Sequence, residues 1–325
     1  ARCFHRHCER FGLVMHCGRL AADGTVAQQS KTLAMFVPPA GHMPTADELA
    51  PLRIDDEDAI VTFTDEFKYL GSIIRTDLSD DADVRHRVQC AAAAYGHIKG
   101  NLFCSKFATR PLSLRNKGKL FKVFVLGTLL FGCELWTLTI PLHQRLKKFF
   151  NGCVRDICGV TRRSFIPSEG GLTMQSLYDK LGIQDLDYYL SNRRLRWAGH
   201  VARMSDNRLP RRMLTAWVDH PRPRGKPHRG YGHFLIADLN RAGIVTERTM
   251  LKLGRTRSWV DLAQDRIRWR KIAAGVYKKK NSYFGKDLNK DVELEGELSK
   301  ANIPTPRPDA DASWSHRLRP RGSKG

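Results

Sequence analysis

Acidic residues are scarce in this 325-residue chain: 33 Asp and Glu face 55 Lys and Arg, a net charge of +22. That balance disfavours a basic partner and favours a polyanion, most simply RNA or DNA. Cysteine is sparse too, at 8 residues. That is too few for a disulfide scaffold at this length, so reduced thiols in a nuclear or cytoplasmic setting are expected. Long apolar runs are missing. The most apolar stretch, Val123 to Ile140, carries Glu134, three Thr and two Gly. A spanning helix needs about 20 predominantly apolar residues, so a buried helix followed by a turn or strand is expected there and no membrane partner. No charged segment, apolar core and small-residue cleavage site follows Ala1, so no secretory leader is read. The abrupt Arg2-Cys3-Phe4-His5-Arg6-His7-Cys8 reads as a chain entered within an element, hence a fragment. Nucleotide-binding glycine patterns, a P-loop and a Ser/His/Asp elbow are also missing.

What is present can build a core. Hydrophobic residues are 42% and charged residues 27% of the chain, which excludes a wholly disordered protein. Residues 1–75 read as mixed strand and loop, with β-rich runs at Leu13–Met15, Leu33–Val37, Ile60–Phe63 and Phe67–Ile74. From Ser79 the period changes. Val84, Val88, Ala91, Tyr95, Ile98 and Leu102 fall on one helical face, after Ser79-Asp80-Asp81 as cap and acidic first turn. A second helix fits Leu112 to Leu130. A third fits Leu142, Leu146, Phe149, Cys153 and Ile157, ending at Gly159. Further helices are expected at Asp185–Met204, Arg208–Val218, Tyr231–Arg241, Thr246–Leu253 and Ser258–Ala274. The Pro- and Arg-rich stretch His220–Gly230 reads as a solvated loop, and 278–325 as a disordered basic tail. No internal repeat is present.

Three groups of residues bear on chemistry. Cys3, His5, His7, Cys8, His16 and Cys17 are all acceptable zinc ligands, but their spacing fits no usual pair, and an ordinary helix with core cysteines is the expectation, so no metal site is assigned. Asp55-Asp56-Glu57-Asp58 and Asp80-Asp81 are the only dense carboxylate groups. Two-metal polymerase chemistry needs carboxylates holding ions about 3.5–4 Å apart. The first group sits in a polar turn and the second starts a helix, so neither is assigned a catalytic role. The sharper signal is basic. Arg193, Arg196, His200 and Arg203 share one face of a helix, a row able to follow a phosphate backbone. Leu186, Leu190, Trp197, Val201 and Met204 form the opposing apolar stripe, interrupted by Arg194, and Trp197 is expected in the core. Arg208, Arg211 and Arg212, then Arg222, Arg224, Lys226 and Arg229, extend the basic patch with few acids. A second Trp/Arg helix carries Trp259, Leu262, Ala263, Trp269 and Ala273 inward, with Asp265 and Arg268 as an i,i+3 pair.

Taken in order, several segments resemble the C-terminal part of a non-LTR (LINE-like) retrotransposon reverse transcriptase. Phe11-Gly12-Leu13-Val14 with Ser30-Lys31-Thr32 resembles a late palm element, although Gly18–Gln29 separates the halves and departs from the family's pattern. Phe67-Lys68-Tyr69-Leu70-Gly71-Ser72 resembles the primer-grip hairpin. Ala82–Leu102 and Phe121–Trp136, including Leu129-Leu130-Phe131-Gly132-Cys133-Glu134-Leu135-Trp136, resemble the thumb. Leu195-Arg196-Trp197-Ala198-Gly199-His200-Val201-Ala202-Arg203-Met204, then Arg208-Leu209-Pro210, is similar to the post-thumb signature. Arg224-Gly225-Lys226-Pro227 and the Trp259…Trp269-Arg270 helix follow in the family's order. The resemblance covers roughly residues 8–275.

The resemblance implies a mainly α chain with a small β-containing N-terminal part. Its divisions would be a palm end with primer grip (1–78), a helical thumb (79–160), a helical basic post-thumb region (161–277) and the disordered tail (278–325). It implies that Lys68, Tyr69, Leu70 and Gly71 touch a primer terminus, that the thumb tracks a product duplex, and that the basic helices bind template RNA or target DNA. The family's metal-binding aspartates would lie upstream, so magnesium is expected only for a complete enzyme and no polymerase activity from this chain alone. The alternative is a decayed retroelement remnant without activity, or a structural partner-binding protein.

Overall fold

A computed structural model describes residues 2–38, 42–54, 58–103, 112–160, 172–215, 231–242, 244 and 259–275. Its architecture is mainly α-helical with a small N-terminal β part. Helix α1 (Arg2–Arg10) buries none of its residues. Three-residue strands β1 (Gly18–Leu20) and β2 (Val26–Gln28) pair antiparallel, so the stretch between Phe11–Val14 and Ser30–Thr32 forms a hairpin. Strand β5 (Ala59–Phe63) pairs antiparallel with β1 and β4 (Leu52–Arg53), and parallel with β3 (Leu33–Ala34). The run Leu13–Met15 forms no strand: it has no pairing partner among the described residues, and Val14 is 96% exposed. Ile54, Ile60 and Val61 are the buried apolar residues of this part.

Strands β6 (Glu66–Tyr69) and β7 (Ser72–Arg75) form a separate two-stranded hairpin. Helix α2 (Asp81–Ile98) follows and continues as a π-helical turn, Lys99–Phe103. Its predicted face is realised, with Val84, Ala91 and Ile98 buried and Val88 and Tyr95 packed against the same core. The helix starts as expected, with Asp80 at the N-cap, Asp81 in an acidic first turn and the Ser79 hydroxyl accepting the Asp81 amide at 3.2 Å. Asp80 makes no side-chain cap bond; its carboxylate instead accepts the amide and hydroxyl of Thr137, at 2.7 and 2.9 Å.

The Ser113 hydroxyl caps α3 (Leu114–Leu120), which runs through a π-helical stretch, Phe121–Leu126, into α4 (Gly127–Leu129). A single 3₁₀ turn, Cys133–Leu135, then leads to α5 (Ile140–Ile157). The apolar stretch is therefore broken, and among the described residues no helix is long and apolar enough to cross a membrane. In α5 the fully buried ring is Phe150, and Phe149 packs at the margin.

Helix α6 (Met174–Leu181), capped by Thr173 and ended by Gly182, was not foreseen. It brings Leu177, Tyr178 and Leu181 into the same core as α2 and α5. Helix α7 (Leu186–Ala202) continues that core through Leu186 and Leu190, then enters a second core through Leu195, Ala198 and Ala202. The second core is completed by α9 (Tyr231–Arg241), α10 (Trp259–Gln264) and α11 (Arg266–Gly275). Helix α8 (Leu209–Thr215) lies between α7 and α9 in the chain. The expected helix Thr246–Leu253 and the tail 278–325 lie outside the described residues.

Candidate functional site

The second core exists to hold three helices against α7, and this arrangement creates the site. Asp185 starts α7 by accepting the Tyr188 amide at 2.8 Å. The arginine that interrupts the apolar stripe, Arg194, is fully buried and pairs with the fully buried Asp238 of α9 at 2.5 Å. Asp238 also accepts the Ser191 hydroxyl at 2.6 Å and Arg241 at 3.0 Å. The Arg194 guanidinium lies over the Phe234 ring, 5.0 Å from its centre. The interruption is thus a polar clasp between α7 and α9, in which the buried charge is neutralised and hydrogen-bonded.

Helix α11 docks through Trp269, which is buried and donates its indole N–H to the Leu195 carbonyl at 2.8 Å. The indole lies against Gly199, where any side chain would overlap it. Asn192 donates to the Ala273 carbonyl at 2.8 Å, and Arg203 donates to the Ala263 carbonyl at 2.7 Å. Asp265 breaks the expected single helix into α10 and α11. Its carboxylate accepts the amides of Ile267 and Arg268, both at 3.0 Å. It therefore serves as a cap, which corrects the expected side-chain pair with Arg268.

Between α7, α11 and the π-helical stretch lies a cleft of about 840 Å³. Its cations are Lys122, Arg193, Arg196, Arg203, Arg266 and Arg270, with His200 beside them. Tyr188, Tyr189 and Trp197 give it aromatic walls. Glu134 is the acid among these lining residues, and it is engaged by Arg193 at 3.4 Å. Arg193 also donates to the Leu130 carbonyl at 3.0 Å. The pKa of Arg203 is pulled below its usual value, first by burial and then by the charge of Arg266. Two guanidinium groups repelling across a cleft are a local field that a bound anion would relieve.

All four residues of the predicted basic row, Arg193, Arg196, His200 and Arg203, line this one cleft. Trp197 lines it too, half-buried and edge-on to Tyr231 at 5.5 Å, which corrects its assignment to the core. The fully buried indole of this helix pair is Trp269. Arg208, Arg211 and Arg212 sit beyond the cleft, and Arg211 faces Asp206 at 3.4 Å. Arg222, Arg224, Lys226 and Arg229 lie outside the described residues. Lys122, Tyr188, Tyr189, Arg266 and Arg270 were missed. For the tyrosines a signal was available, since Tyr188 lies two helical steps of four before Arg196.

The hairpin bearing Lys68, Tyr69, Leu70 and Gly71 is a separate feature. Leu70 and Gly71 have φ of +48° and +93°, the paired left-handed values of a two-residue hairpin turn. Leu70 is 79% exposed and Tyr69 57%. From below, Arg87 donates to the Gly71 carbonyl and stacks 4.3 Å from the centre of Phe131. Asp83 accepts the Ile73 amide at 3.0 Å and the Trp136 indole N–H at 2.8 Å. An exposed turn is thereby fixed on a buried polar base.

The described carboxylates do not assemble a metal centre. Asp80 is committed to Thr137, Asp81 to Arg85 at 2.6 Å, and Asp83 to Ile73 and Trp136. Residues 55–57 of the other acidic group are outside the described residues. At the N-terminus, His7 is hydrogen-bonded to the Cys3 carbonyl at 2.7 Å, and His16 accepts the Lys31 amide at 3.2 Å. Among the described residues no group of three or more His, Cys, Asp or Glu is placed to hold a metal ion.

The chain is similar to a transposon-derived protein of Caenorhabditis elegans, with 28% identity over 154 residues. The similar stretch is 47% of this chain and 52% of that protein, so the chain spans about half the length of the relative it matches. The similarity supports a transposon origin. No protein-family model matches the chain. No solved structure matches it.

Proposed function

We propose that this chain is the nucleic-acid-binding C-terminal portion of a non-LTR retrotransposon reverse transcriptase. The observation that carries the reading is the cleft on α7. It gathers six Lys and Arg side chains and four aromatic residues around one acid that is already paired. Phosphates supply the negative charge such a surface lacks, and base faces match its aromatic walls. A transposon-derived relative fits this reading. The hairpin Lys68–Gly71 would meet a primer end, residues 79–160 would follow the product duplex, and 161–277 would hold template RNA or target DNA.

Among the described residues no carboxylate group is placed to hold the magnesium that nucleotidyl transfer needs. The dense carboxylates that are described are occupied by hydrogen-bond donors and arginines of the fold itself. The reading therefore assigns this chain binding and no transfer step.

The test is binding of the full chain to fluorescently labelled RNA and DNA, by anisotropy, across a salt series. The logarithm of affinity should fall linearly with the logarithm of salt, with a slope of about −0.7 to −0.9 per phosphate contacted. Arg196→Ala should make that slope shallower by about one contact. Binding indifferent to salt, or no binding at low salt, would overturn the proposal.

A further inference from the structure

The chemistry of the cleft goes further than a preference for anions. We infer that it takes an unpaired polynucleotide strand, with bases stacked on Tyr188 and Trp197 and phosphates on Arg196 and Arg203; this rests on the nucleic-acid reading above. At about 100° per residue, Tyr188 and Trp197 fall on opposite edges of the outward face of α7, and Arg196 and Arg203 lie near its middle. The nine steps from Tyr188 to Trp197 rise about 13 Å along the helix axis, and their placement on opposite edges adds to that separation. A strand lying between the rings therefore needs at least about four stacked nucleotides at roughly 3.4 Å each.

Both rings are supported from behind, so each has a defined orientation. Trp197 stands edge-on to Tyr231 at 5.5 Å. Tyr188 stands edge-on to Tyr189 at 5.3 Å, and Tyr189 in turn packs on Phe150 at 6.4 Å. Both Tyr188 and Trp197 remain half-buried, neither sealed in the core nor fully in water.

A duplex cannot use these walls. Its bases face one another within the stack and offer only edges and backbone to a protein, whereas an unpaired strand offers base faces. A surface meant for duplex phosphates alone needs no aromatic residue in it.

The experiment compares the full chain binding labelled oligo(U) and oligo(dT) of two, four, six and eight nucleotides with binding to a blunt hairpin duplex carrying the same number of phosphates. Affinity for the single strands should rise steeply to about four nucleotides and slowly thereafter. Trp197→Leu should weaken the four-nucleotide strand about tenfold, within the range of one base–aromatic stack. Trp197→Phe should restore most of that loss, and Trp197→Leu should weaken duplex binding far less than single-strand binding. Tyr188→Leu, away from the α7–α9 contact, should reproduce the effect independently. Equal affinity for duplex and single strand, with both leucine variants silent or weakening both ligands alike, would overturn the inference while salt-dependent binding kept the proposed function standing. Loss of all binding to every ligand at low salt would remove both.

Discussion

Gly199 decides whether α11 can pack, and replacing it tests the architecture that shapes the cleft. A Cβ at this position would lie 2.0 Å from Trp269 Nε1, 2.3 Å from Cδ1 and 2.7 Å from Cε2. Carbon atoms in contact sit about 3.5–4.0 Å apart, so the indole would have to retreat by about 1.5 Å. Retreat breaks its 2.8 Å bond to the Leu195 carbonyl. A buried polar group left without its partner costs about 1–3 kcal/mol, and overpacking a core costs a similar amount. Against this, Ala is favoured over Gly within a helix by about 0.8–1.0 kcal/mol. The contest has a definite winner: Gly199→Ala should destabilise the chain by about 2–4 kcal/mol.

Urea denaturation followed by circular dichroism gives the midpoint shift. All three overlapping atoms belong to the five-membered ring of Trp269, which Phe lacks. The pair Gly199→Ala with Trp269→Phe should therefore be more stable than the sum of the single costs by at least about 1 kcal/mol. Arg266 and Arg270 travel with α11, so binding of the four-nucleotide strand should fall in Gly199→Ala and recover in the pair. A Gly199→Ala chain as stable as the parent, or more so, would mean that helix propensity prevails and that α11 does not rest on Gly199.

Three further outcomes are expected. Asp238→Ala strands the fully buried Arg194 and should cost about 3–5 kcal/mol in a urea melt, whereas Arg194→Met with Asp238→Leu should cost far less. Asp187 accepts His143 at 2.5 Å and Lys147 at 3.2 Å; burial works to raise its pKa, but His143 and then Lys147 hold it below the usual value. Its stabilisation is complete above the ordinary carboxylate range and is lost as pH falls below about 4 through the lowered folded value. Urea midpoints measured from pH 5 to pH 3 should decline less steeply in Asp187→Asn than in the parent. Gly71→Ala places a side chain at φ +93° within 3.4 Å of Arg87 and should cost about 1–2 kcal/mol, read as lost amide-exchange protection at Ile73, whose amide donates to Asp83.

Local signals were legible in the sequence wherever one helix carried all the information. The face of α2 through Val84, Ala91 and Ile98 follows from spacing, and the caps at Asp185 and Gly159 follow from residue type. Helix α6 was missed although Thr173 and Gly182 mark its ends, because it turns over too few residues to show a period. In α5 two adjacent phenylalanines compete for one inward position, and only the rings of Tyr178 and Phe121, which flank Phe150, decide it. Trp197 and Trp269 sit on helices of similar composition, and which indole is buried depends on Gly199 of the facing helix. Arg194 reads as a flaw in an apolar stripe until Asp238, on another helix, is placed beside it. The basic row itself was legible, since like charges at helical spacing need no partner to be recognised. Its enclosure was not, because Lys122, Arg266 and Arg270 come from elements brought in by tertiary packing.

The least regular part of the chain joins the two surfaces. Between α4 and α5, Leu130 and Glu134 turn toward α7, where a carbonyl and a carboxylate both receive Arg193. Phe131 turns the opposite way and lies under the Arg87 guanidinium that holds the hairpin turn. Cys133 is sealed between them, its thiol pushed up to about 12 by burial. Trp136 and Thr137 then bond Asp83 and Asp80 at the start of α2. A continuous helix would carry Leu130, Phe131 and Glu134 on neighbouring positions of one side, as residues three and four apart are. The chain escapes that constraint at Gly132, whose φ is +76° and where a side chain would meet Ser72 Oγ at 3.0 Å. One left-handed residue thus lets the five successive positions from Leu130 to Glu134 face two directions, and the hairpin and the cleft are fixed to each other through a segment only eight residues long. If the hairpin meets a strand's end and the cleft its unpaired length, their separation is set by this turn.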